Sequence, residues 1–459
     1  MQKKRINLLT HRLHAISMVA DRLKTIDQRY FWYRLAAFLG AWVFAILTRF
    51  ILPGMAWLWV LVGMIIIFLV VVYFHRKLDQ QRLRYQIAQE WLTQQIARAT
   101  LDWDKIPEMP AHKSDPDHPF MNDLNLVGER SLLQLMDTTA TQGGQNQLFS
   151  WILSPQIEMK SILQRQALVK ELLELTGFRT RLTLAGMHIK QQQQGAWSDT
   201  KILAWLKSHT SSRSLRKLLI LLSTLAILNY TLLALDLFAG WQPYWQFSFL
   251  VYIGIYFYQY RVYQSTFQDA YQISKDLNPL ENILEFLETY PTKSSSQVAQ
   301  LLSIFSKPGQ KPSKYLRKIL WISSAASLQN NQILSLLINA LLPWDIIFTT
   351  ILDGFKKDLG ASLPAWLDIW YKTEALTALA NFAYLNPEYH FPLLQPEASK
   401  PLLGAIGLGH PLIDKNQKIV NDFNISDIGE VAIISGSNMS GKSTFLRTLG
   451  INLALAYSG

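Results

Sequence analysis

Residues 56–74, AWLWVLVGMIIIFLVVVYF, contain no charged side chain. At ~1.5 Å per residue, a helix of this length covers the ~30 Å hydrocarbon layer of a bilayer. The stretch therefore reads as a transmembrane helix. Residues 31–52 before it are also apolar, with Arg34 and Arg49 near the ends, where long side chains can snorkel to headgroups. Pro53 and Gly54 supply a tight turn between the two. The same plan recurs later. Residues 218–235 carry no charge, residues 236–243 form a short loop with Gly240 and Pro243, and residues 243–260 are again uncharged. Four such stretches in charge-flanked pairs predict two helical hairpins and argue against a soluble core.

Charge orients them. Lys3, Lys4, Arg5, Arg12, Arg22, Lys24 and Arg29 precede the first hairpin, and Arg76, Lys77, Arg82 and Arg84 follow it. Arg213, Arg216, Lys217 and Arg261 flank the second. Basic residues stay on the cytoplasmic side. The expectation is an integral protein of the inner, cytoplasmic membrane with its soluble parts in the cytoplasm. Forty-four Lys and Arg against 33 Asp and Glu give a net charge of +11, which suits polyanionic partners: nucleic acid, anionic lipid or nucleotide phosphates. The absence of Cys excludes disulfides, thiolate nucleophiles and Cys-ligated zinc. No metal cluster or Ser-His-Asp arrangement can be placed among the nine His by spacing.

Between the hairpins the reading is helical. Residues 1–30 form a basic cytoplasmic N-terminus, 31–77 the first hairpin, and 78–122 a linker helix followed by a Pro-rich loop. Residues 123–212 form a helical domain, 213–264 the second hairpin, 265–398 a long helical region, and 399–459 a partial nucleotide-binding domain. Within 123–155, residues 131–136 predict a short amphipathic helix; Asp137, Thr138 and Thr139 can cap the next one, and Gly143 and Gly144 permit close helix approach. Residues 307–318 read as a basic loop carrying Lys307, Lys311, Lys314, Arg317 and Lys318, either a solvated or membrane-surface face or a phosphate contact. Pro364 is placed at the first turn of a helix. Pro387, Pro392 and Pro396 mark a boundary.

Residues 431–444 read VAIISGSNMSGKST. Val431, Ala432, Ile433 and Ile434 predict a buried strand, and a helix follows from near Lys442. Gly436, Gly441, Lys442 and Ser443 have the GxxxxGK[ST] spacing of a phosphate-binding loop. Glycines let the loop curl so that backbone N–H groups of Gly436, Ser437, Asn438, Met439, Ser440 and Gly441 face phosphate oxygens. Lys442 would neutralise the β- and γ-phosphates, Ser443 would ligate Mg²⁺, and Thr444 opens the helix whose positive end faces the ligand. The expected cofactors are ATP and Mg²⁺. Hydrolysis also requires an acidic residue on a neighbouring strand and a group that positions water. Neither follows before Gly459, so the expectation is nucleotide binding here, no catalytic residue in this fragment, and ATPase activity only in a longer polypeptide.

The Asn438-Met439 pair inside this loop is similar to the MutS version of the motif. Gly409, His410, Pro411 and Leu412 resemble the His-Pro element near the start of the MutS ATPase domain, and Asn421-Asp422 resemble its Asn-Asp element. Ser131-Leu132, the 137–141 run DTTAT, Gly143-Gly144, Trp151 and Pro155 are similar to the family's core domain, and residues 372–392 to the long helix that returns to the ATPase. Where the family places an aromatic residue before the Asn-Asp element, Lys418 stands here, with Ile419 beside it as the candidate adenine contact.

The resemblance implies a mainly α-helical core with lever helices, interrupted by two transmembrane hairpins, and the start of a C-terminal α/β phosphate-loop ATPase domain. It also implies a homodimer paired through ATPase domains that sandwich ATP, coupled to DNA. The expected function is ATP-dependent binding of mismatched or structured DNA in mismatch repair or related DNA processing, from a membrane anchor. The alternative is an ATPase that acts on a membrane partner without DNA.

Overall fold

The computed structural model describes residues 1–459 apart from 52–55, 110–116, 156, 194, 208–211, 293–294, 307–310, 327–331, 396–400 and 438–439. The described chain is mainly α-helical. In order it forms α1 (Gln2–Ile51), α2 (Ala56–Thr100), α3 (Leu132–Met136), α4 (Gln142–Leu153), α5 (Met159–Glu174), α6 (Thr176–Gln193) and α7 (Thr200–Lys207). Then come α8 (Ser212–Ala239), α9 (Trp245–Thr289), α10 (Gln297–Leu302), α11 (Pro312–Ala326), α12 (Gln332–Leu341) and α13 (Trp344–Leu385). Strands β1 (Leu403–Leu408) and β2 (Asn421–Ile425) precede α14 (Lys442–Ser458).

The chain divides into two units. The first comprises Met1–Thr138, Leu148–His188 and Leu376–Gly459. Its longest feature is the antiparallel pair of α1 and α2. Ala41 and Ala45 are buried, while Trp42, Phe44, Ile46 and Leu47 point outward. Small residues let two helix backbones approach and leave the large apolar side chains on the outside of the pair. Further along, Leu9, Leu92 and Leu385 form a buried cluster with Leu13, Trp91 and Tyr384 packed against it. Each such Leu contributes about 1.5–3 kcal/mol by burial. Arg98 is buried beneath α3, donating to the carbonyls of Asp137 (2.5 Å) and Gln134 (3.5 Å). Burial lowers its pKa to about 10, still leaving it charged at neutral pH.

The second unit comprises Thr139–Gln147 and Ile189–Ala375. α8 and α9 form its hairpin, with Leu222, Ala226, Tyr252, Tyr256 and Ile346 in a common core. Near the N-terminus of α4, the backbone of residues 140–142 pairs with Trp197, whose fully buried indole tilts against Trp370 at 5.3 Å.

Among the described residues, three helices are long and apolar enough to cross a membrane by length and composition: Gln2–Thr48, Trp57–Thr100 and Arg216–Ala239. The start of α9, expected as the fourth, is not among them, because Gln246, Ser248, Tyr252 and Tyr256 make it less apolar. The basic N-terminal residues 1–30 run on without a Gly or Pro into the first apolar stretch as one continuous α1. Other expectations are corrected. Asp137, Thr138 and Thr139 do not cap α4; Thr141 does, accepting the Gly144 N–H at 2.8 Å. Pro364 lies inside α13. The donor it lacks would have met the carbonyl of Gly360, so the helix forgoes one bond at this turn.

The basic stretch is not a loop where it is described, because residues 312–318 begin α11. Lys311 pairs with Glu288 at 3.4 Å, and Arg317 with Glu281 at 2.7 Å and Glu285 at 3.3 Å. Lys307 lies outside the described residues.

Candidate functional site

The glycine-rich loop of residues 436–443 leads into the start of α14, and the far end of that helix is tied down. Arg165 of α5 donates to the Tyr457 carbonyl at 2.7 Å, the Ser458 hydroxyl donates to the Trp151 carbonyl at 3.2 Å, and Ile451 and Ala454 are buried. A cation at a helix C-terminus complements the macrodipole. Midway along, Asn452 donates to the Gly409 carbonyl at 3.2 Å, connecting α14 to the segment after β1.

At the other end, Gly441 stands immediately before α14 with φ of +87°, a left-handed conformation that glycine adopts without strain. The Phe445 N–H bonds the Gly441 carbonyl at 2.9 Å, which begins the helix. The loop is tightly curled: a Cβ on Gly436 would lie 2.7 Å from the Ser440 hydroxyl. Lys442 turns back into it, and its ammonium donates to the carbonyls of Ser437 (2.8 Å) and Gly436. Ser443 and Thr444 are exposed on the first turn of α14. Gly436, Ser437, Ser440, Gly441, Lys442, Ser443 and Thr444 are thus brought together, whereas Asn438 and Met439 lie outside the described residues.

This arrangement fits a polyphosphate. A cation on the concave side, a helix N-terminus and a hydroxyl on the first turn are the groups such a ligand needs. Lys442 and the loop amides can hold phosphate oxygens, and Ser443 can offer a ligand to Mg²⁺. Ile419 is 80% exposed, so its side chain is available to an apolar ring.

The buried strand expected over residues 431–434 does not form. Val431 and Ile433 are 80% and 87% exposed, and no strand pairs with them among the described residues. An extended apolar run needs neighbouring strands to satisfy its backbone and cover its side chains. The two-stranded sheet lies elsewhere: β1 and β2 pair antiparallel, Leu403 opposite Ile425 and Ala405 opposite Phe423. The register breaks near Gly407, whose φ is +64° and whose N–H bonds Asp422 Oδ1 at 2.7 Å. Phe423 of β2 meets Phe445 of α14 edge-on at 5.7 Å, which positions the sheet beside the loop.

His410 takes a structural role: its Nδ1 accepts the Leu412 N–H at 3.2 Å in the turn after β1. Burial, then Lys418 and Arg447, push its pKa below the usual imidazole range. Lys418 is held over the Tyr389 ring and donates to its hydroxyl at 2.6 Å. Sequence spacing gave no hint of Tyr389, an aromatic side chain brought to Lys418 from beyond the end of α13.

Asp27, His75 and Asp79 also cluster, at the base of the first hairpin. His75 Nδ1 faces Arg34 Nη1 at 3.3 Å, so that nitrogen is the acceptor and Nε2–H donates to Asp27 at 2.9 Å. Arg82 is also bonded to Asp27, so that carboxylate is shared between His75 and Arg82.

Comparison with known proteins follows the same lines. The family model for MutS domain III matches residues 120–341. A DNA mismatch repair protein MutS of Fervidobacterium nodosum is 31% identical over 112 residues, 23% of this chain and 12% of that protein. A DNA mismatch repair protein MutS 2 of Halobacterium salinarum is 33% identical over 92 residues, 18% of this chain and 10% of that protein. A DNA mismatch repair protein MutS of Rickettsia felis is 36% identical over 91 residues, again 18% and 10%. The matched part thus spans about a tenth of each relative's length. The domain III match covers just under half of the chain, and over that stretch and the shorter matched segments the chain is similar to proteins of the MutS family.

Proposed function

We propose that this chain is the membrane-anchored, nucleotide-binding portion of a DNA-binding MutS-family protein. The observation that carries the reading is Lys442, folded into a glycine-bounded loop at the free end of α14 while the opposite end is fastened to α4 and α5. ATP with Mg²⁺ would supply a ligand whose γ-phosphate distinguishes two states of the loop. Its arrival exchanges the Lys442 bonds to Gly436 and Ser437 for bonds to phosphate, and α14 passes that change to the helices that hold it. Pairing of two copies through this region, and DNA as the partner, are carried over from the family and from the mismatch-repair names of the relatives. The three long apolar helices and the basic residues around them support an anchor in the cytoplasmic membrane with the loop on the cytoplasmic side.

A second reading has its own support. Lys311 and Arg317, two of the five cations of the basic stretch read as a possible phosphate contact, pair with glutamates of α9. That favours a nucleotide switch acting on a membrane partner. One experiment separates the two: DNA binding by the protein in nanodiscs, with and without ATP, on homoduplex, mismatched and branched DNA, with Lys442→Ala as control. Structure-selective binding that changes with ATP and loses that response in the variant supports the first reading. Nucleotide binding with no DNA affinity above that for heparin overturns it in favour of the second.

A further inference from the structure

Residues 319–344 contain no Asp, Glu, Lys or Arg, and residues 319–341 fall within the part of the chain matched to MutS domain III. Within them, α12 stops at Leu341, and after Pro343 the chain starts α13, the two helices bending by 88°. Leu336, Leu337, Leu341 and Leu342 are between 46% and 60% exposed.

The break is fastened to the second hairpin by its backbone. The Tyr252 hydroxyl of α9 donates to the Asn339 carbonyl, and the Tyr230 hydroxyl of α8 to the Leu341 carbonyl, both at 2.6 Å. The last four carbonyls of a helix have no partner within it, and in water solvent satisfies them. Here side chains from two neighbouring helices satisfy two of them, those of Asn339 and Leu341, as a helix end inside hydrocarbon requires. The Asn339 side chain accepts the Asp345 N–H at 3.0 Å, and Asp345 Oδ2 accepts from the Tyr256 hydroxyl at 3.0 Å. The contacts also fix a depth. At ~1.5 Å per residue, Tyr252 lies ~10 Å along the helix from Trp245 and ~12 Å from Tyr260, near the middle of the apolar part of α9.

We propose that α12 and the first turn of α13 form a re-entrant membrane element, packed on the second hairpin with its Leu side chains against lipid hydrocarbon. This rests on the membrane-anchor reading and extends it: α13, which meets Thr141 through Glu374, would start inside the bilayer, so the lipid phase bears directly on the helical core. Polar backbone at membrane depth is tolerated where protein groups satisfy it, and the tyrosines supply that here.

The lack of native Cys makes the test direct. Single-Cys variants at Leu336, Leu337, Val62 (first hairpin) and Lys160 (exposed on α5) are treated, in membranes open on both faces, with a membrane-impermeant maleimide. Cys at 160 is expected to label, while Cys at 62, 336 and 337 labels at least tenfold more slowly until detergent is added. A fluorophore at 337 is then expected to be quenched by brominated lipid chains. Labelling of 336 and 337 at the rate of 160, with 62 protected, overturns the re-entrant element and leaves the anchor standing. Protection of 337 without quenching also overturns it, since the site would then face protein. Labelling at 62 overturns the anchor reading itself, and this inference with it.

Discussion

Thr141 and Glu374 share one hydrogen at 2.5 Å: the threonine hydroxyl donates to Glu374 Oε2 and accepts the Gly144 N–H at 2.8 Å. The same hydroxyl therefore caps α4 and satisfies a buried carboxylate on α13, with the Thr141 N–H adding a bond at 3.3 Å. Gly143 and Gly144 make the approach possible. A Cβ at 143 would meet the Tyr371 ring at 2.3 Å, and one at 144 would meet Glu374 Oε2 at 2.2 Å.

Thr141→Val keeps the shape and removes both bonds. Losing an N-cap costs about 1 kcal/mol, and leaving a buried acceptor unsatisfied costs about 1–3 kcal/mol more. The expected result is a drop in the midpoint of thermal unfolding, followed by circular dichroism in detergent. Thr141→Ser, which retains the hydroxyl, is expected to stay near the parent. An equal loss in both variants would show that packing of the methyl, not the shared hydroxyl, carries the effect.

How much of this was readable in advance follows from where each interaction closes. Helices α1, α2 and α8 were legible as long apolar runs bounded by charge, whereas the start of α9 is less apolar than expected, and the Gly143-Gly144 contact was legible because small residues in tandem mark close approach. The start of α14 was legible from Gly441 and Lys442. The partner of Thr141 was not, since Glu374 belongs to a distant helix and a lone Glu carries no local signal. The exposed run at Val431 and Ile433 misled in the opposite sense: composition gives strand character, but a strand exists only when neighbours pair with it. The 319–344 stretch was missed because Ser, Asn and Gln dilute its apolar character while leaving it uncharged.

Stability should fall on mild acidification. Burial, with Lys418 and Arg447, lowers the His410 pKa, and burial beside Arg84 lowers that of His188. Unfolded, each imidazole titrates near its ordinary ~6.5. Below that pH the unfolded chain binds protons that the folded chain refuses, so the stabilising difference is full above about pH 6.5 and is lost as pH falls toward the lowered folded pKa values. Thermal midpoints between pH 7.5 and 5.5 are expected to decline. His410→Asn should flatten part of that slope, because an Asn side chain can accept the same N–H two residues on without titrating. An unchanged slope would place the proton uptake elsewhere.

Arg165 is expected to matter for α14 more than a surface cation would. It donates to the Tyr457 carbonyl and lies over the Trp151 ring at 5.2 Å. Arg165→Ala removes the charge-assisted bond and the ring contact, for a loss of about 1.5–3 kcal/mol. Hydrogen exchange is the measurement: amides of residues 451–458 should exchange faster, while those of α1 and α2 should not change.

The loop itself makes the last prediction. If Lys442 exchanges its bonds to Gly436 and Ser437 for phosphate, ATP with Mg²⁺ binds the folded state alone and raises the unfolding midpoint, by an amount equivalent to about 2.7 kcal/mol at a hundredfold excess over Kd. Lys442→Ala removes the cation and leaves two carbonyls on an exposed loop, where water replaces it. Its midpoint without nucleotide is therefore expected to match the parent, and its ATP-dependent rise to vanish. Gly441→Val tests the backbone separately. At φ of +87° a β-branched residue is strained by about 1–2 kcal/mol or more, so this variant should lose both intrinsic stability and the response to ATP. A Lys442→Ala protein that still responded to ATP in full would show that the stabilising nucleotide sits somewhere other than the head of α14.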